Sequence, residues 1–412
     1  MIGSDHSLTE RIAQHLLRPV DKSVRTKARL HLLDWLGCVA GARTTEVARI
    51  QGGLSSIPAI EKAVWLGNVL EMDDVHRTAI LHPGPIVWPA ALGGGSDSLD
   101  EALDAGVLGY EAVIAIGATL DARHYSYWHN TATAGVFGAA AAAASRLGVD
   151  AAQMTSALGL AGSVTGGFWQ MRHEPVMAKQ WHLAHAVTTG QAAARQARHG
   201  VTGPRFILEG PQGLYAATCI DPKPLILPEA WRIDEVSFKP WGACRHAHPA
   251  IDAALALKAQ GGLTGPVTVR TYRDAITFCD RPDPKSVLDA KFSIQHAVAV
   301  VMARGVPVLA DFEPDAIAAL AEPRALVTVE ESADFTAAYP AHFGASITSA
   351  TSAVTFTDAL GDPERPLSDR GVVDKARALM VWGGVANPDE AIRRVLEGER
   401  VSDILALLEE WL

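Results

Sequence analysis

Residues 134–148 read "AGVFGAAAAAASRLG", and this run constrains the fold more than any other stretch. Alanine has the highest helix propensity, and no polar side chain interrupts the run before Ser145. A helix built this way is apolar on every side, so it is stable in water only when other helices enclose it. The tract is too short and too alanine-rich to span a bilayer, and no membrane role is expected. "SLDEALDAGVLGYEAVIAIGATLDA", "AAQMTSALGLAGSV" and "HAVTTGQAAARQARHG" share this character, with apolar residues at helical spacing. At 412 residues the chain exceeds what one simple core organises, so two domains are expected.

The helical signal begins at "SLTERIAQHLL", where Ser7 and Glu10 form a Ser-x-x-Glu capping box. It runs on through "DKSVRTKARLHLLDWLGCVAGA", which carries apolar residues at helical spacing and ends on glycine. Near "DPKPLILPEAW" the prolines cluster and the character changes. "GPVTVRTY", "ALVTVEE" and "SAVTFTDAL" are short and β-branched, hence strands, with helical stretches such as "PAIDAALALKAQ" and "FSIQHAVAVVMARG" between them. After "GDPERPLSD" the pattern is helical again to the end. The fold expected is mostly α with an α+β part. Residues 1–222 form a large helical domain, 223–365 an α/β lid domain, and 366–412 a helical return.

The formal net charge of −10 argues against a nucleic-acid partner, because binding phosphate needs clustered Lys and Arg. It leaves an anionic small molecule open, since a basic pocket can lie inside an acidic protein. Cys38, Cys219, Cys244 and Cys279 are far apart and without a CxxC pair, which suits reduced thiols. "MIGSDHSLTERIAQHLL" lacks a basic segment followed by an apolar core, so no signal peptide and a cytoplasmic location are expected.

Cofactor motifs are missing: there is no GxGxxG after a strand and no GxxxxGK[ST], and "AGSVTG" lacks the nucleophile-elbow spacing. Histidine recurs instead. "LEMDDVHRTAILHPG" (residues 70–84) sets Glu71, Asp73 and Asp74 before His76, Arg77 and His82. "RHYSYWHNTATAG" holds His124 and His129, and "MRHEPVMAKQWHLAHA" holds His173, Lys179, His182 and His185. "KPWGACRHAHPAID" offers Lys239, Arg245, His246 and His248, and "DAKFSIQHAV" offers Lys291 and His296. Such clusters can bind carboxylates and move a proton near neutral pH. A lone His beside apolar residues is more often a hydrogen-bonded structural group, and His124, His173 and His199 are read that way. The acids of residues 70–84 have a bland reading too, as caps on a solvated helix end. A metal site built from His246 and His248, or from His182 and His185 with Asp73 or Asp74, is the rival reading. Neither HExxH nor CxxC supports it, so no metal and no cofactor are expected.

Taken in order, these segments resemble the MmgE/PrpD family, whose members include 2-methylcitrate dehydratase, cis-aconitate decarboxylase and iminodisuccinate epimerase. The family's acidic run and "HPG" match Glu71, Asp73, Asp74 and His82 to Gly84. Its "HxTxTxGxFG" block matches the chain from His129, and its Lys-x-x-His block matches Lys179 and His182. "TG…EG…G" matches Thr202, Gly203, Glu209, Gly210 and Gly213. "CxxxHxxID" matches Cys244, His248, Ile251 and Asp252, and "DAKFS" matches Asp289 to Ser293. The chain departs from the pattern in carrying Glu71 where dehydratase and decarboxylase members have aspartate.

The resemblance implies a helical domain topped by an α/β lid, a homodimer, and a cofactor-free site in the groove between domains. It also implies proton transfer at a carbon next to a carboxylate of a small polycarboxylate. Carried over by position, Glu71, His82, His129, Lys179 and His248 are the expected catalytic residues. Asp74, His76, His182, Arg245 and His296 are the expected substrate-binding ones. His129 or His248 would serve as base or acid, Lys179 as main carboxylate anchor and Arg245 as a second. The acids would orient imidazoles, with Asp73 structural. Dehydration of a hydroxylated di- or tricarboxylate is the first expectation. Epimerisation of an imino- or amino-dicarboxylate and decarboxylation of a cis-aconitate-like acid are the alternatives.

Overall fold

A computed structural model describes residues 6–174 and 176–412. Residues 1–5, the start of the N-terminal stretch read above for a signal peptide, lie outside it. The chain forms two compact units. One comprises Met1–Val69, Asp73–Val236 and Asp369–Leu412, the other Leu70–Met72 and Ser237–Ser368.

The first unit is helical. Its principal helices are α1 (Leu8–His15), α2 (Lys22–Gly41), α3 (Ala59–Leu66), α4 (Gly84–Leu92), α5 (Leu99–Gly117), α6 (Asn130–Arg146), α7 (Ala151–Gly162) and α8 (Ala178–Arg198). The capping box opens α1 as expected: Glu10 N–H donates to Ser7 Oγ at 3.2 Å, and Ser7 N–H donates to Glu10 Oε2 at 2.7 Å. The alanine run lies in α6, buried continuously from Asn130 to Ala144. α5, α7 and α8 all pack on it. Gly190 of α8 permits the closest approach, since a Cβ there would meet Ala139 Cβ at 2.5 Å. An all-apolar helix is thus matched by neighbours on several sides, as the hydrophobic effect requires.

The second unit is α+β. Strands β1 (Val267–Thr271), β2 (Val327–Glu331), β3 (Ala345–Thr348) and β4 (Ala353–Phe356) form one mixed sheet in the order β2-β1-β3-β4. β1 pairs parallel with β2 (Val269 opposite Val329) and antiparallel with β3 (Val269 opposite Ile347). Helices α9 (His248–Ala259) and α10 (Ile294–Arg304) pack on each other, and α9 covers β3 and β4. β3 was not among the expected strands. Its sequence, "ASIT", is only four residues long and mixes Ala and Ser with Ile and Thr, a weak local signal. Ala345 and Ile347 face inward, and pairing with β1 and β4 places it in the sheet. The chain then returns to the first unit through α11 (Asp369–Trp382), α12 (Pro388–Glu397) and α13 (Val401–Trp411). α11 packs on α2, where Lys375 pairs with the buried Asp34 at 2.5 Å. No described helix is long and apolar enough to cross a membrane.

Candidate active site

Residues 70–84 are not the helix end the sequence suggested. α3 stops at Leu66, and no helix resumes until Gly84. Residues 76–81 instead close on themselves: His76 N–H donates to Leu81 O at 2.9 Å, and Ile80 takes the left-handed φ of 51°. The acids are buried rather than solvated. Asp74 accepts from Tyr110 Oη at 2.5 Å, His31 Nδ1 at 2.8 Å and the Gly84 N–H at 2.8 Å. It fixes the start of α4 to α2 and α5. Burial pushes Tyr110 well above its usual pKa, so the phenol remains a donor. Burial also lowers the proton affinity of His31, against the pull of Asp74, so a neutral ring donates through Nδ1.

Asp73, expected to be structural, is the acid of this stretch that orients His82. It is 1% exposed and accepts from Asn68 Nδ2 at 2.7 Å and His82 Nδ1 at 2.8 Å. The His82 side chain keeps 18% of its surface exposed, with its Nδ1–H directed at a carboxylate. That leaves Nε2 with the lone pair. His76 is bonded at both nitrogens: Nε2–H donates to Glu235 Oε2 at 2.9 Å, and Nδ1 accepts from the Ala79 N–H at 3.1 Å. In this arrangement Asp74 and His76 hold the loop and have no group to offer a substrate.

The His82 N–H donates to Thr131 Oγ1 at 3.1 Å, tying His82 to the first turn of α6. His129 is the N-cap of that helix, and its own N–H donates to Gly167 O at 2.8 Å. Its Nδ1 lies 3.3 Å from Nδ1 of His182, which follows Lys179 by three residues in the first turns of α8. The Trp169 ring lies 4.6 Å from the His129 ring. Burial drives the pKa of His129 well below its usual value, and the positive side chains of Lys179 and Arg172 push the same way. Burial also lowers His182.

Two neutral imidazoles that face each other through Nδ1 can share only one hydrogen. The donor ring then carries a lone pair at Nε2, and the acceptor ring carries an Nε2–H. His129 and His182 therefore present one base and one acid whichever ring holds the shared hydrogen.

The second unit treats its polar residues differently. Arg245 pairs with Asp362 and donates to Leu360 O at 3.0 Å and His248 Nδ1 at 3.1 Å. His248 Nε2–H donates to Ala243 O at 3.0 Å, so both ring nitrogens are engaged within the unit. His296 is likewise closed: Nε2–H donates to Asp311 O at 2.8 Å, and Nδ1 accepts from Arg324 at 3.3 Å. These bonds give Arg245, His248 and His296 structural work, against their expected catalytic or binding roles. Glu71 adopts the left-handed φ of 56° and has Lys239 Nζ 3.8 Å away, both of them buried.

The proposed metal ligands do not converge. His246 meets Tyr272 Oη at 2.6 Å and stacks between Phe278 and Phe343. His185 is exposed and meets Thr189 at 3.4 Å. Among the described residues, His342, Asp358 and Glu364 bring three ligand atoms within 4.8 Å, in the second unit. His124 has partners at both nitrogens, Asn130 Oδ1 at 2.9 Å and Thr133 Oγ1 at 3.1 Å.

Sequence reasoning passed over His31, Trp169 and Arg172. His31 left one signal, a single imidazole inside the apolar "LHLLDWL". Trp169 and Arg172 left none, because a tryptophan and an arginine three residues apart are ordinary in any helical protein.

Two sequence profiles match this chain: the MmgE/PrpD N-terminal domain over residues 6–226 and the MmgE/PrpD C-terminal domain over residues 241–398. Among curated proteins it is similar to cis-aconitate decarboxylase of Homo sapiens. The two are 23% identical over 446 residues, which cover 94% of this chain and 91% of the human protein.

Proposed function

Because this chain belongs to the MmgE/PrpD family of enzymes, we propose that it is a lyase acting on a small hydroxylated di- or tricarboxylate. The meeting of His82, His129, His182 and Lys179 in the first unit carries this reading. A carbon acid next to a carboxylate is weak. Removing its proton needs a base, and the enediolate that forms needs cations to hold its charge. His82 is assigned as the base, since Asp73 fixes its Nδ1–H and leaves Nε2 to accept. Lys179 anchors the carboxylate on which charge accumulates. The electron pair of the broken C–H bond then forms the carbon–carbon double bond and expels the β-hydroxyl. The hydroxyl leaves as water with a proton from the His129–His182 pair. These side chains are sufficient for the steps, so no cofactor or metal is invoked.

Decarboxylation is the second reading, favoured by the likeness to a protein named cis-aconitate decarboxylase. There the C–C bond to a departing carbon dioxide breaks, its electron pair stays on a carbanion stabilised by conjugation with a remaining carboxylate, and that carbanion is protonated afterwards. Epimerisation relied on His129 and His248 as opposed bases, and it loses support from the occupied nitrogens of His248. A homodimer, implied by the family resemblance, and a cytoplasmic location, expected from the N-terminal sequence, complete the proposal. Phe168 and Trp181, both 59% exposed in the first unit, are the kind of surface a partner subunit covers.

Proton NMR in D₂O tests the reading, with citrate-, malate-, aconitate- and aspartate-type acids as the panel. An alkene signal supports dehydration, and evolved carbon dioxide supports decarboxylation. Deuterium washed into the substrate with no new product supports the epimerase. His82→Ala should lower turnover by ~10²-fold or more. Absence of product and exchange across the panel would overturn the lyase reading.

A further inference from the structure

Asn68 has no part in the steps above, and the usual reason for an asparagine just after a helix does not apply to it. α3 ends at the cap residue Gly67, where a Cβ would meet Trp35 Nε1 of α2 at 2.4 Å. Only glycine lets the backbone turn this close to the indole. The turn carries Asn68 into the interior, where it is 0% exposed. Asparagine beyond a helix commonly serves the left-handed conformation. Among the described non-glycine residues, that conformation belongs to Glu71 and Ile80, and Asn68 does not share it. Its backbone therefore does not explain it, and its side chain must.

The side-chain amide bonds to the Asp73–His82 pair. Asn68 Nδ2–H donates to Asp73 Oδ2 at 2.7 Å, the same oxygen that accepts from His82 Nδ1–H at 2.8 Å. Nδ2 also lies 3.4 Å from His82 Nδ1, so the three atoms close a triangle. The other end of the amide gains nothing: Oδ1 is shielded from solvent and has no hydrogen-bond partner. A buried carbonyl without a donor is costly, and such a group in a native protein calls for an explanation. A leucine of similar shape would fill the space without that cost, so what the asparagine adds is its N–H. The last torsion of an aspartate is soft. A donor placed on the very oxygen that His82 uses sets that torsion for His82, and a hydrogen bond to a charged acceptor is among the stronger ones.

We propose that Asn68 is a positioning residue: its amide holds Asp73 Oδ2 against the His82 Nδ1–H and so keeps the ring in the one tautomer whose Nε2 can take the substrate proton. This rests on the reading of His82 as the base. Asn68 touches no reacting atom and acts through Asp73. When Nε2 takes the proton the ring becomes an imidazolium, its Nδ1–H stays on Asp73, and the carboxylate is not itself protonated. The His82 N–H on Thr131 Oγ1 fixes the backbone, and the Asn68–Asp73 pair fixes the ring. A base held at both ends needs no reorientation when the substrate arrives.

The first test does not depend on turnover. Long-range proton–nitrogen NMR of the protein labelled with ¹⁵N-histidine reports which ring nitrogen carries hydrogen, and the spectrum of His82→Ala identifies the His82 signals. In mildly alkaline buffer the wild-type protein should show His82 as the Nδ1–H tautomer alone. Asn68→Leu should bring the Nε2–H tautomer into view, and Asn68→Ala carries the test if leucine does not pack. On whichever acid of the panel reacts, Asn68→Leu should lower kcat on the order of 10-fold while KM changes by less than about 3-fold. In an Asp73→Asn background the same substitution should cost less than about 2-fold, because its effect runs through that carboxylate. An unaltered tautomer in both Asn68 variants, or an equal loss of kcat in the two backgrounds, would overturn the proposal and leave the lyase reading intact. If no acid reacts, the lyase reading fails, and the tautomer spectra alone decide the role of Asn68.

Discussion

His129 and His248 head two polar clusters that the sequence makes look alike. Each follows an aromatic-rich stretch, begins a helix and lies in apolar surroundings. In the second unit every contact of His248 and Arg245 described above ends on a complementary partner: a carboxylate, a carbonyl or an imidazole lone pair. In the first unit the two cationic side chains that act on His129, Lys179 and Arg172, both oppose its protonation. Closed networks stabilise a fold. Clusters of like charge are unfavourable until a ligand of opposite charge arrives. The difference separates scaffold from site where histidine density does not.

Paired substitutions probe it most strongly. His129→Asn should reduce kcat/KM by ~10²-fold or more with little change in melting temperature. His248→Ala should instead lower the melting temperature, because it strips a buried Arg245 contact and a carbonyl partner. If His248→Ala melts like wild type but is inactive, the comparison breaks. Asp362→Ala should destabilise the second unit by about 3–5 kcal/mol, since it leaves the buried Arg245 without its counter-charge. Denaturant unfolding measures that loss.

Acid sharpens the comparison further. Burial holds His124 down to about 4 from 6.5, and His129 is displaced the same way. As pH falls the unfolded chain therefore binds these protons first. The stability contributed by His124 is full above pH 6.5 and is lost as pH drops towards 4. Glu111, raised to about 7 from 4.5 by burial, works oppositely: it favours the fold as pH falls from 7 to 4.5. Melting temperatures from pH 7.5 to 4.5 should show a shallower acid loss in His124→Gln than in wild type. The smallest effect is a control outside both clusters. Ser7→Ala removes the α1 cap and should cost about 1 kcal/mol with kinetics unchanged.

The helices were legible because their signals are local. The alanine run, the Ser7–Glu10 box and the β-branched strands depend on neighbours a few residues away. β3 was not legible, since its place in the sheet comes from pairing with β1, more than 70 residues earlier in the chain. At the site, the blocks around His82, His129 and Lys179 could be picked out by their chemistry, but their roles could not. Asp73 and Asp74 are adjacent and chemically identical. One orients His82 and the other locks α4, a choice made by His31 and Tyr110 from distant helices.

The sequence by itself therefore determined the family, the fold class and the stretches that carry titratable chemistry, because helix propensity, periodicity and motif spacing are written in short windows. Tertiary structure alone decided which of those residues are satisfied internally. That depends on partners brought together across tens to hundreds of residues, such as Arg245 with Asp362 and His129 with His182. A hydrogen bond or an ion pair has no signature in sequence spacing. It exists only once the chain has folded and water has been excluded.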